Sequence, residues 1–328
     1  MTGQEDEVRD VVVVGGGAAG LSAGLMLARA RRRVTVVDAG APRNAPADGV
    51  HALLGLDGVS PAELLARGRA EVTGYGGEII AGEVGDVSAA PGGFIVTMTN
   101  GDGLHARRLL IATGLVDELP DIPGLRERWG REVVHCPYCH GWEVRDRLIG
   151  VLATGPMSVH QALLFRQWTG SLRYFSNGLE PGADDQAKLA ALGIPVVAGR
   201  VERLEGGDEH ALGVRLADGR VAEVDVVAVA SRMAARAGAF SGIGIETAEH
   251  LMGSFIAADQ TGRTAVPGVW VAGNATDLSA QVSAAAADGA RVGAQINADL
   301  VAEDTGRAVA RLATARCEPS GGGQRPTR

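Results

Sequence analysis

The chain of 328 residues is long enough to form two domains with hydrophobic cores of their own. Its 46% hydrophobic and 21% charged residues are typical of a globular protein. The formal net charge of -8 at pH 7 argues against nucleic acid or an anionic membrane as the main partner, because such partners are bound by clustered positive charge.

The first ten residues are acidic and polar, without the basic and apolar regions of a secretory signal. No stretch approaches the roughly 20 continuous apolar residues of a membrane span. We therefore expect a cytoplasmic protein that is not bound to a membrane. A persistent structural disulfide would be unusual there, so a close pair of cysteines indicates catalysis or metal binding.

A dinucleotide-binding pattern begins the chain. An apolar strand (Val11–Val14) leads into a turn made of Gly15, Gly16, Gly17, Ala18, Ala19 and Gly20. A helix follows, and then a strand (Val34–Val37) that ends at Asp38. In such a unit the first glycine makes the tight turn, the second lets a pyrophosphate approach the backbone, and the third lets helix and strand pack. The carboxylate of Asp38 can accept from ribose hydroxyls.

The next part of the chain predicts a hairpin and then a second unit of the same design. The hairpin joins Phe94–Thr99 to Leu104–Ile111 and ends in Ala112, Thr113 and Gly114. The second unit comprises a strand (Leu148–Leu152), a turn (Ala153–Gly155), a helix (Ser158–Trp168), a hairpin that turns at Asp218–Gly219 and a strand (Val224–Ala230). The chain thus contains two nucleotide-fold units.

The last part predicts a strand that ends on Gly273 and Asn274, followed by an alanine-rich helix (Ser283–Leu300). The residues from Arg316 to Arg328 are expected to form a disordered tail. Cys317 lies in this tail, which favours a thiol without a functional role.

Cys136 and Cys139 are two residues apart and are flanked by His135 and His140. This pattern is compatible with zinc, haem attachment or a redox pair. Zinc requires a second pair of ligands, and the chain has no other Cys-x-x-Cys or His-x-x-x-His pair, so we predict no metal. Haem attachment belongs to exported proteins. The favoured interpretation is a dithiol that exchanges with disulfides.

Four motifs together resemble low-molecular-weight thioredoxin reductases. They are the glycine turn at 14–20, "ATG" at 112–114, Cys-x-x-Cys-x-Gly at 136–141 and "PGVWVAGN" at 267–274. The resemblance implies an α/β fold with two Rossmann-like (FAD/NAD(P)-binding three-layer ββα) domains and a homodimer. Residues 1–117 and 247–315 would form a discontinuous FAD-binding domain, and residues 118–246 an inserted NADPH-domain-like unit that carries the cysteines.

The same resemblance implies one FAD per chain and assigns its contacts. The pyrophosphate and the adenosine ribose would meet the glycine turn, Asp38 and Ala39. The loop along the cofactor would contribute Arg43, Asn44 and His51, and the adenine side Ala112, Thr113 and Gly114. Gly273 and Asn274 would meet the ribityl chain, and Gln281 and Val282 the flavin ring. Asn274 stands where the family usually has Asp, and its amide oxygen can still accept a hydrogen bond.

Two departures from thioredoxin reductases concern the chemistry. By resemblance Cys139 lies nearer the flavin and Cys136 exchanges with substrate, but His140 replaces the usual Asp after the second cysteine. A histidine there can act as a base for a thiol, and His135 is a second candidate. In the second unit Ala153 stands where the motif has its first glycine, and Ser158 stands at its last small position. Pro156 removes a backbone N–H donor at the start of the helix. The triplet Ser176-Asn177-Gly178 stands where the family has a basic cluster. We therefore expect a degraded NADPH site.

These departures resemble the FAD-dependent dithiol oxidases of gliotoxin- and holomycin-type pathways. The leading hypothesis is oxidation of a small-molecule or peptide dithiol through Cys136, Cys139 and FAD, with O2 as the acceptor that becomes H2O2. One alternative is a thioredoxin reductase-like enzyme that receives electrons from NADPH or another donor. Another is a non-enzymatic, flavin-bound redox sensor.

Overall fold

The computed structural model describes residues 8–207 and 211–317, and only the backbone of the last three. The helices in this part are α1 (Ala18–Arg29), α2 (Pro61–Gly74), α3 (Pro137–His140), α4 (Ser158–Phe165), α5 (Ala183–Ala191) and α6 (Val282–Cys317). The strands are β1 (Arg9–Val14), β2 (Val34–Asp38), β3 (Glu78–Ala81), β4 (Val84–Ala90), β5 (Gly93–Met98), β6 (Gly103–Ile111), β7 (Leu115–Glu118), β8 (Val133–Val134), β9 (Ile149–Leu152), β10 (Leu172–Phe175), β11 (Val196–Val197), β12 (Val201–Gly206), β13 (Leu212–Leu216), β14 (Val221–Val224), β15 (Val226–Val229), β16 (Arg232–Ala235), β17 (Thr247–His250), β18 (Gly253–Ile256) and β19 (Val269–Val271).

The first sheet has the order β3-β2-β1-β6-β5-β4, with β19 beside β6. β1 runs parallel to both β2 and β6. Helices α1 and α6 pack on one face, so Val11 and Val13 are fully buried there, while Val12 is fully buried on the other face. A continuous run of valines is what a parallel strand with two covered faces requires.

The second sheet has the order β11-β10-β9-β15-β8, and its pairings are all parallel. Helix α4 packs on one face through Val159, Ala162 and Phe165. The antiparallel sheet β12-β13-β14 covers the other face. The strands β8, β9 and β15 end side by side, so the loops that follow them share one edge of the sheet.

The chain leaves the first sheet through β7 and returns from the second through β16, and these two strands pair antiparallel. β17 and β18 extend this small connecting sheet. The two nucleotide-fold units predicted from the sequence are confirmed. The exact domain boundaries at residues 117 and 246 stay predictions.

Several predicted elements end at other residues in the structure, and three of the differences have a clear physical reason. Helix α4 stops at Phe165, before the turn in which the amide of Trp168 donates to Phe165. The predicted strand from Val224 to Ala230 is divided at Asp225, whose carboxylate accepts from the amide of Leu148, so that Val224 belongs to the hairpin and β15 to the second sheet.

The last helix extends 17 residues beyond the predicted end at Leu300. Its added turns carry acidic residues that pair with an arginine of β6 and with one in the turn before β2. Glu303 contacts Arg108 at 2.7 Å, and Asp304 contacts Arg32 at 2.8 Å. The first two residues of the predicted tail, Arg316 and Cys317, are helical in their backbone, and the remaining tail lies outside the described residues. Within the described part, no helix combines the length and hydropathy needed to cross a bilayer.

The contact between α1 and α6 predicts the effect of adding one methyl group. A Cβ at Gly289 would lie 2.0 Å from the carbonyl oxygen of Ala19, whereas a Cβ at Gly306 of the same helix would meet nothing within 4 Å. We expect Gly289→Ala to lower the free energy of unfolding by about 1–3 kcal/mol, because the helices must separate. Gly306→Ala should raise it by about 0.5–1 kcal/mol through helix propensity.

Urea unfolding followed by circular dichroism measures both values. A Gly289→Ala protein as stable as the Gly306→Ala protein would contradict the close packing of α1 on α6.

Candidate functional site

A cleft of about 1480 Å³ lies where the carboxyl ends of the parallel strands of the two large sheets face each other. The glycine turn after β1 borders one end, and the cysteine motif after β8 borders the other. Ligands in open α/β sheets bind outside the carboxyl ends of the strands, so this cleft is the candidate site.

The first glycine turn is open toward the cleft. Gly15 has φ +110°, and a Cβ there would lie 2.3 Å from the carbonyl oxygen of Ala112. A Cβ at Gly20 would lie 1.8 Å from the oxygen of Gly15, while one at Gly17 would meet nothing within 4 Å. Gly17 caps α1 without a side-chain hydrogen bond. The helix N-terminus can therefore receive a phosphate.

Asp38 lies beside this turn at the end of β2. A Cβ at Gly16 would lie 2.6 Å from its carboxylate oxygen, so only glycine allows the acid to stand there. The carboxylate accepts from the amide of Gly40 at 3.1 Å and keeps lone pairs for a ribose. The turn and the acid together fit the pyrophosphate and ribose of a dinucleotide.

Most of the predicted site residues line the same cleft. They are Gly15, Gly16, Gly17, Ala18, Ala19, Asp38, Ala39, Arg43, Asn44, His51, Ala112, Thr113, Gly114, His135, Cys136, Cys139, His140, Asn274, Gln281 and Val282. Gly20 and Gly273 are buried behind the wall of the cleft. A side chain at Gly20 would clash with Gly15, and a side chain at Gly273 would clash with Ala19. The amide nitrogen of Asn274 donates to Asp277 at 3.0 Å and Ala280 at 2.8 Å, and its oxygen stays available as an acceptor.

The cysteine motif begins directly after β8. Cys136 caps the one-turn helix α3, Pro137 starts it, and the amides of Cys139 and His140 donate to the carbonyl of Cys136. The thiol of Cys139 and the helical amides hydrogen-bond the Cys136 sulfur and outweigh burial, so the pKa of Cys136 falls to about 7. The same contact and burial raise the pKa of Cys139. The pair is therefore asymmetric, with Cys136 as the thiolate.

His140 is held neutral by its surroundings. Burial lowers the pKa of its imidazole, against the opposing effect of the Cys136 carbonyl and Glu143. Among the described residues, its buried Nδ1 atom has no hydrogen-bond partner. Glu143 lies 3.4 Å from Nε2 of His51, which the sequence assigned to the cofactor loop. A neutral imidazole beside the cysteines is suited to accept a proton.

The imidazole of His135 has more hydrogen-bond contacts than that of His140. Its Nδ1 lies 3.2 Å from the carbonyl oxygen of Val229 and 3.4 Å from the amide nitrogen of Ser231, so it donates to the first or accepts from the second. Burial lowers its pKa, and the nearby Arg43 guanidinium lowers it further. Gln161 donates to the carbonyl of His135 at 2.6 Å.

Asp117 is a site residue that the sequence analysis missed. Arg43, which lines the cleft and is expected to run along the cofactor, makes two 2.7 Å hydrogen bonds to this carboxylate. The hydroxyl of Ser231 donates to it at 2.6 Å. Although burial opposes ionisation, Arg43 holds the pKa of Asp117 below its usual value. No local pattern marks Asp117, because its partners are 74 and 114 residues away.

The second nucleotide turn differs from the first. The hydroxyl of Ser158 accepts from the amide of Thr154 at 2.9 Å and from the amide of Gly155 at 3.2 Å. Pro156, which follows Gly155 in the turn, has no backbone N–H group. A side chain of the protein thus accepts from two amides of this turn.

The loop after β10 also has internal partners. Asn177 donates to the carbonyl of Ala153 at 3.2 Å and accepts from the amide of Val201 at 2.9 Å. Ser176 donates to the carboxylate of Glu180 at 2.7 Å. A carboxylate next to this loop disfavours a 2′-phosphate. Across the described ranges, no three His, Cys, Asp or Glu side chains form a group that could hold a metal.

Comparisons with known proteins agree with this geometry. The sequence model of one family, described as pyridine nucleotide-disulphide oxidoreductase, matches residues 9–289. The chain is 33% identical to thioredoxin reductase tcpT of Claviceps purpurea (strain 20.1) over 310 residues, which cover 91% of this chain and 96% of that protein.

Two solved structures are similar over nearly their whole length. The crystal structure of HlmI is 46% identical with a TM-score of 0.89, covering 96% of this chain and all of HlmI. An oxidoreductase from Agrobacterium tumefaciens is 38% identical with a TM-score of 0.85, covering 90% and 99%. The thioredoxin reductase-like resemblance and the α/β fold predicted from the sequence are confirmed.

The asymmetry of the cysteines predicts their reactivity. In the reduced protein, alkylation of Cys136 by iodoacetamide should increase through about pH 7, because only the thiolate reacts. Cys139→Ala should move this midpoint upward, since it removes the main hydrogen bond to the thiolate. Mass spectrometry of peptides alkylated at different pH values measures both.

Cys136→Ser is the matched control and should lose the reaction near pH 7. Faster alkylation of Cys139 than of Cys136 in the unsubstituted protein would contradict the assignment.

Proposed function

Because the chain belongs to the pyridine nucleotide-disulphide oxidoreductase family, we propose that it is an FAD-dependent dithiol oxidase. Its substrate is a small-molecule or peptide dithiol, in which the enzyme forms a disulfide. One observation carries the proposal: the redox pair and the first nucleotide turn share a cleft, while Ser158 engages the donors of the second turn.

The residues at the first nucleotide turn fit FAD, which supports it as the cofactor. The backbone donors from Gly15 to Ala19 would hold the pyrophosphate, and Asp38 the adenosine ribose. Asn274 and the N-terminus of α6 at Val282 would meet the ribityl chain and the ring. FAD bound there would take two electrons from the cysteines and pass them with two protons to O2, giving H2O2.

The cysteines carry out the exchange in two displacements. A substrate thiolate attacks the Cys136–Cys139 disulfide at Cys136, forms a mixed disulfide and releases Cys139 as a thiolate. The second substrate thiol then displaces Cys136, which closes the substrate disulfide and leaves both cysteines reduced. Two electrons and two protons have then passed from the substrate to the protein. The low pKa of Cys136 makes it the better leaving group.

His140 is the proposed base for this exchange. It follows Cys139 directly and is neutral at pH 7, because burial lowers its pKa. It can therefore take the proton of an incoming thiol. His135 is the second candidate, and its Nδ1 is engaged by the backbone at Val229 and Ser231.

A second candidate function is disulfide reduction with NADPH or another donor. The name thioredoxin reductase of the relative tcpT favours it. The internal bonds of Ser158 and Asn177 argue against it, because they occupy donors of the turn, and the described loop after β10 contains no arginine for a 2′-phosphate.

The two functions are separated by one pair of assays on the FAD-loaded protein. In air and without pyridine nucleotide, dithiothreitol should cause O2 uptake and an equal amount of H2O2, and Cys136→Ser should abolish both. Absence of O2 uptake would contradict the oxidase. Under anaerobic conditions NADPH should leave the flavin spectrum unchanged, whereas prompt bleaching would favour the reductase.

The role of His140 predicts a pH effect. The imidazole accepts protons only above its pKa, which lies below the ordinary 6.5. The rate of flavin reduction by dithiothreitol should therefore fall at acidic pH. His140→Asn should lower the rate at pH 7 by about 10²-fold and replace this inflection by a rate that rises steadily with the thiolate fraction of dithiothreitol. Stopped-flow absorbance at different pH values measures the rate.

His105→Asn, on β6 and outside the cleft, is the matched control and should behave as the unsubstituted enzyme. The FAD content of both variants should be unchanged. A His140→Asn enzyme with the original pH profile would assign the base to another residue, and His135→Asn is then the next variant.

A further inference from the structure

We propose that the crevice between β9 and β15, where the second sheet would hold a pyridine nucleotide, binds the dithiol substrate and accepts an uncharged, apolar small molecule. The inference rests on the proposed oxidase function and names its substrate class. The crevice is bordered by the loops that follow β8, β9 and β15.

The topology places this crevice next to the cysteines. β9 and β15 are neighbours, but β10 and β11 extend the sheet on one side and β8 on the other. Such a reversal of strand order opens a crevice at the carboxyl ends. β8 leads into Cys136, and the loops with Thr154 and Ala230 lie at the same edge. The Thr154 hydroxyl donates to the carbonyl of Ala230 at 2.9 Å and joins these loops.

Several polar groups of the wall are already paired within the protein. Ser158 accepts from the amides of Thr154 and Gly155, and the amide nitrogen of Gln161 donates to the carbonyl of His135. The charges of Arg232 are balanced by Glu118 at 3.1 Å and by a second glutamate. A charged ligand would find no free opposite charge among these groups and would lose its hydration there.

One face of α4 contributes two apolar side chains, Met157 and Leu164, to the remaining wall, beside His160 and Gln161. Met157, His160, Gln161 and Leu164 follow helical spacing and line the cleft, while Val159, Ala162 and Phe165 pack into the sheet. Pro156 and Tyr138 continue the wall toward the cysteines. Leu164 and Met157 are therefore the side chains that select the substrate.

The volume leaves room for such a ligand. The cleft of about 1480 Å³ exceeds the roughly 300–1000 Å³ typical of a site for one small molecule. FAD would occupy the part near the first glycine turn, and the crevice is the part beyond the cysteines. Both cysteines are only partly exposed, which favours a small dithiol over a disulfide-forming segment of a folded protein.

The test compares an apolar and a polar dithiol. Benzene-1,2-dimethanethiol should have a lower KM than dithiothreitol in the unsubstituted enzyme. Leu164→Glu and Met157→Glu should each raise the KM for the aromatic dithiol by about tenfold or more and the KM for dithiothreitol by a smaller factor. The apolar ligand would remove water from the added carboxylate without replacing its hydrogen bonds, whereas dithiothreitol is polar.

The matched control is Gln167→Glu, which adds the same charge just beyond α4 on an exposed residue outside the cleft. It should leave both KM values unchanged. Leu164→Met should keep the original preference, and all variants should bind FAD equally. Equal changes for both dithiols, or none, would overturn the assignment to the crevice. Faster turnover of a reduced protein dithiol than of the aromatic dithiol would overturn the substrate class. Competitive inhibition by NADPH would show that the crevice binds the nucleotide instead.

A binding measurement separates this inference from the oxidase function. Benzene-1,2-dimethanol has the same shape but cannot exchange with a disulfide. It should protect Cys136 from iodoacetamide in the unsubstituted protein and fail to do so in Leu164→Glu. Protection without any O2 uptake from either dithiol would retain the crevice and refute the oxidase. O2 uptake without protection would refute the crevice alone.

Discussion

The carboxylate of Asp117 holds the two halves of the cleft together. It receives two hydrogen bonds from Arg43, which belongs to the loop beside the first glycine turn, and one from Ser231, at the carboxyl edge of the second sheet. Its side chain is only 8% exposed, so loss of Arg43 would leave a buried charge with only the Ser231 hydroxyl to stabilise it, at a cost of up to about 3–5 kcal/mol. The position of the cysteine motif relative to the first nucleotide turn depends on this ion pair and on the pairing of β7 with β16.

The two nucleotide turns show what has diverged between the two units. Both follow a parallel strand and precede a helix, and both place backbone amides at the edge of a sheet. The first presents these amides to the cleft, since Gly17 contributes no side chain. The second directs two of them to Ser158. The molecule thus keeps two nucleotide folds, and their turns differ in whether the backbone amides face the cleft or a side chain.

Sequence patterns predicted the elements that local interactions determine. The valines of β1, the glycine turn and the cysteine motif each carry their own spacing, and the structure brings them to one cleft. The end of α6 could not be predicted, because Glu303 and Asp304 extend it by pairing with arginines nearly 200 or more residues away. The partner of Arg43 was hidden for the same reason. Ser158 was recognised as a departure from the motif, but nothing in the sequence indicates that its hydroxyl bonds back to the turn.

The Ser158 hydroxyl also changes how the second unit responds to its surroundings. A protein that binds a ligand only in the folded state gains stability with ligand concentration through mass action. Here the oxygen that completes the turn is covalently part of the chain, so it is present at the same effective concentration under every metabolic condition. On the proposed function, in which this unit holds no pyridine nucleotide, the stability of the unit is set by the amino-acid sequence alone.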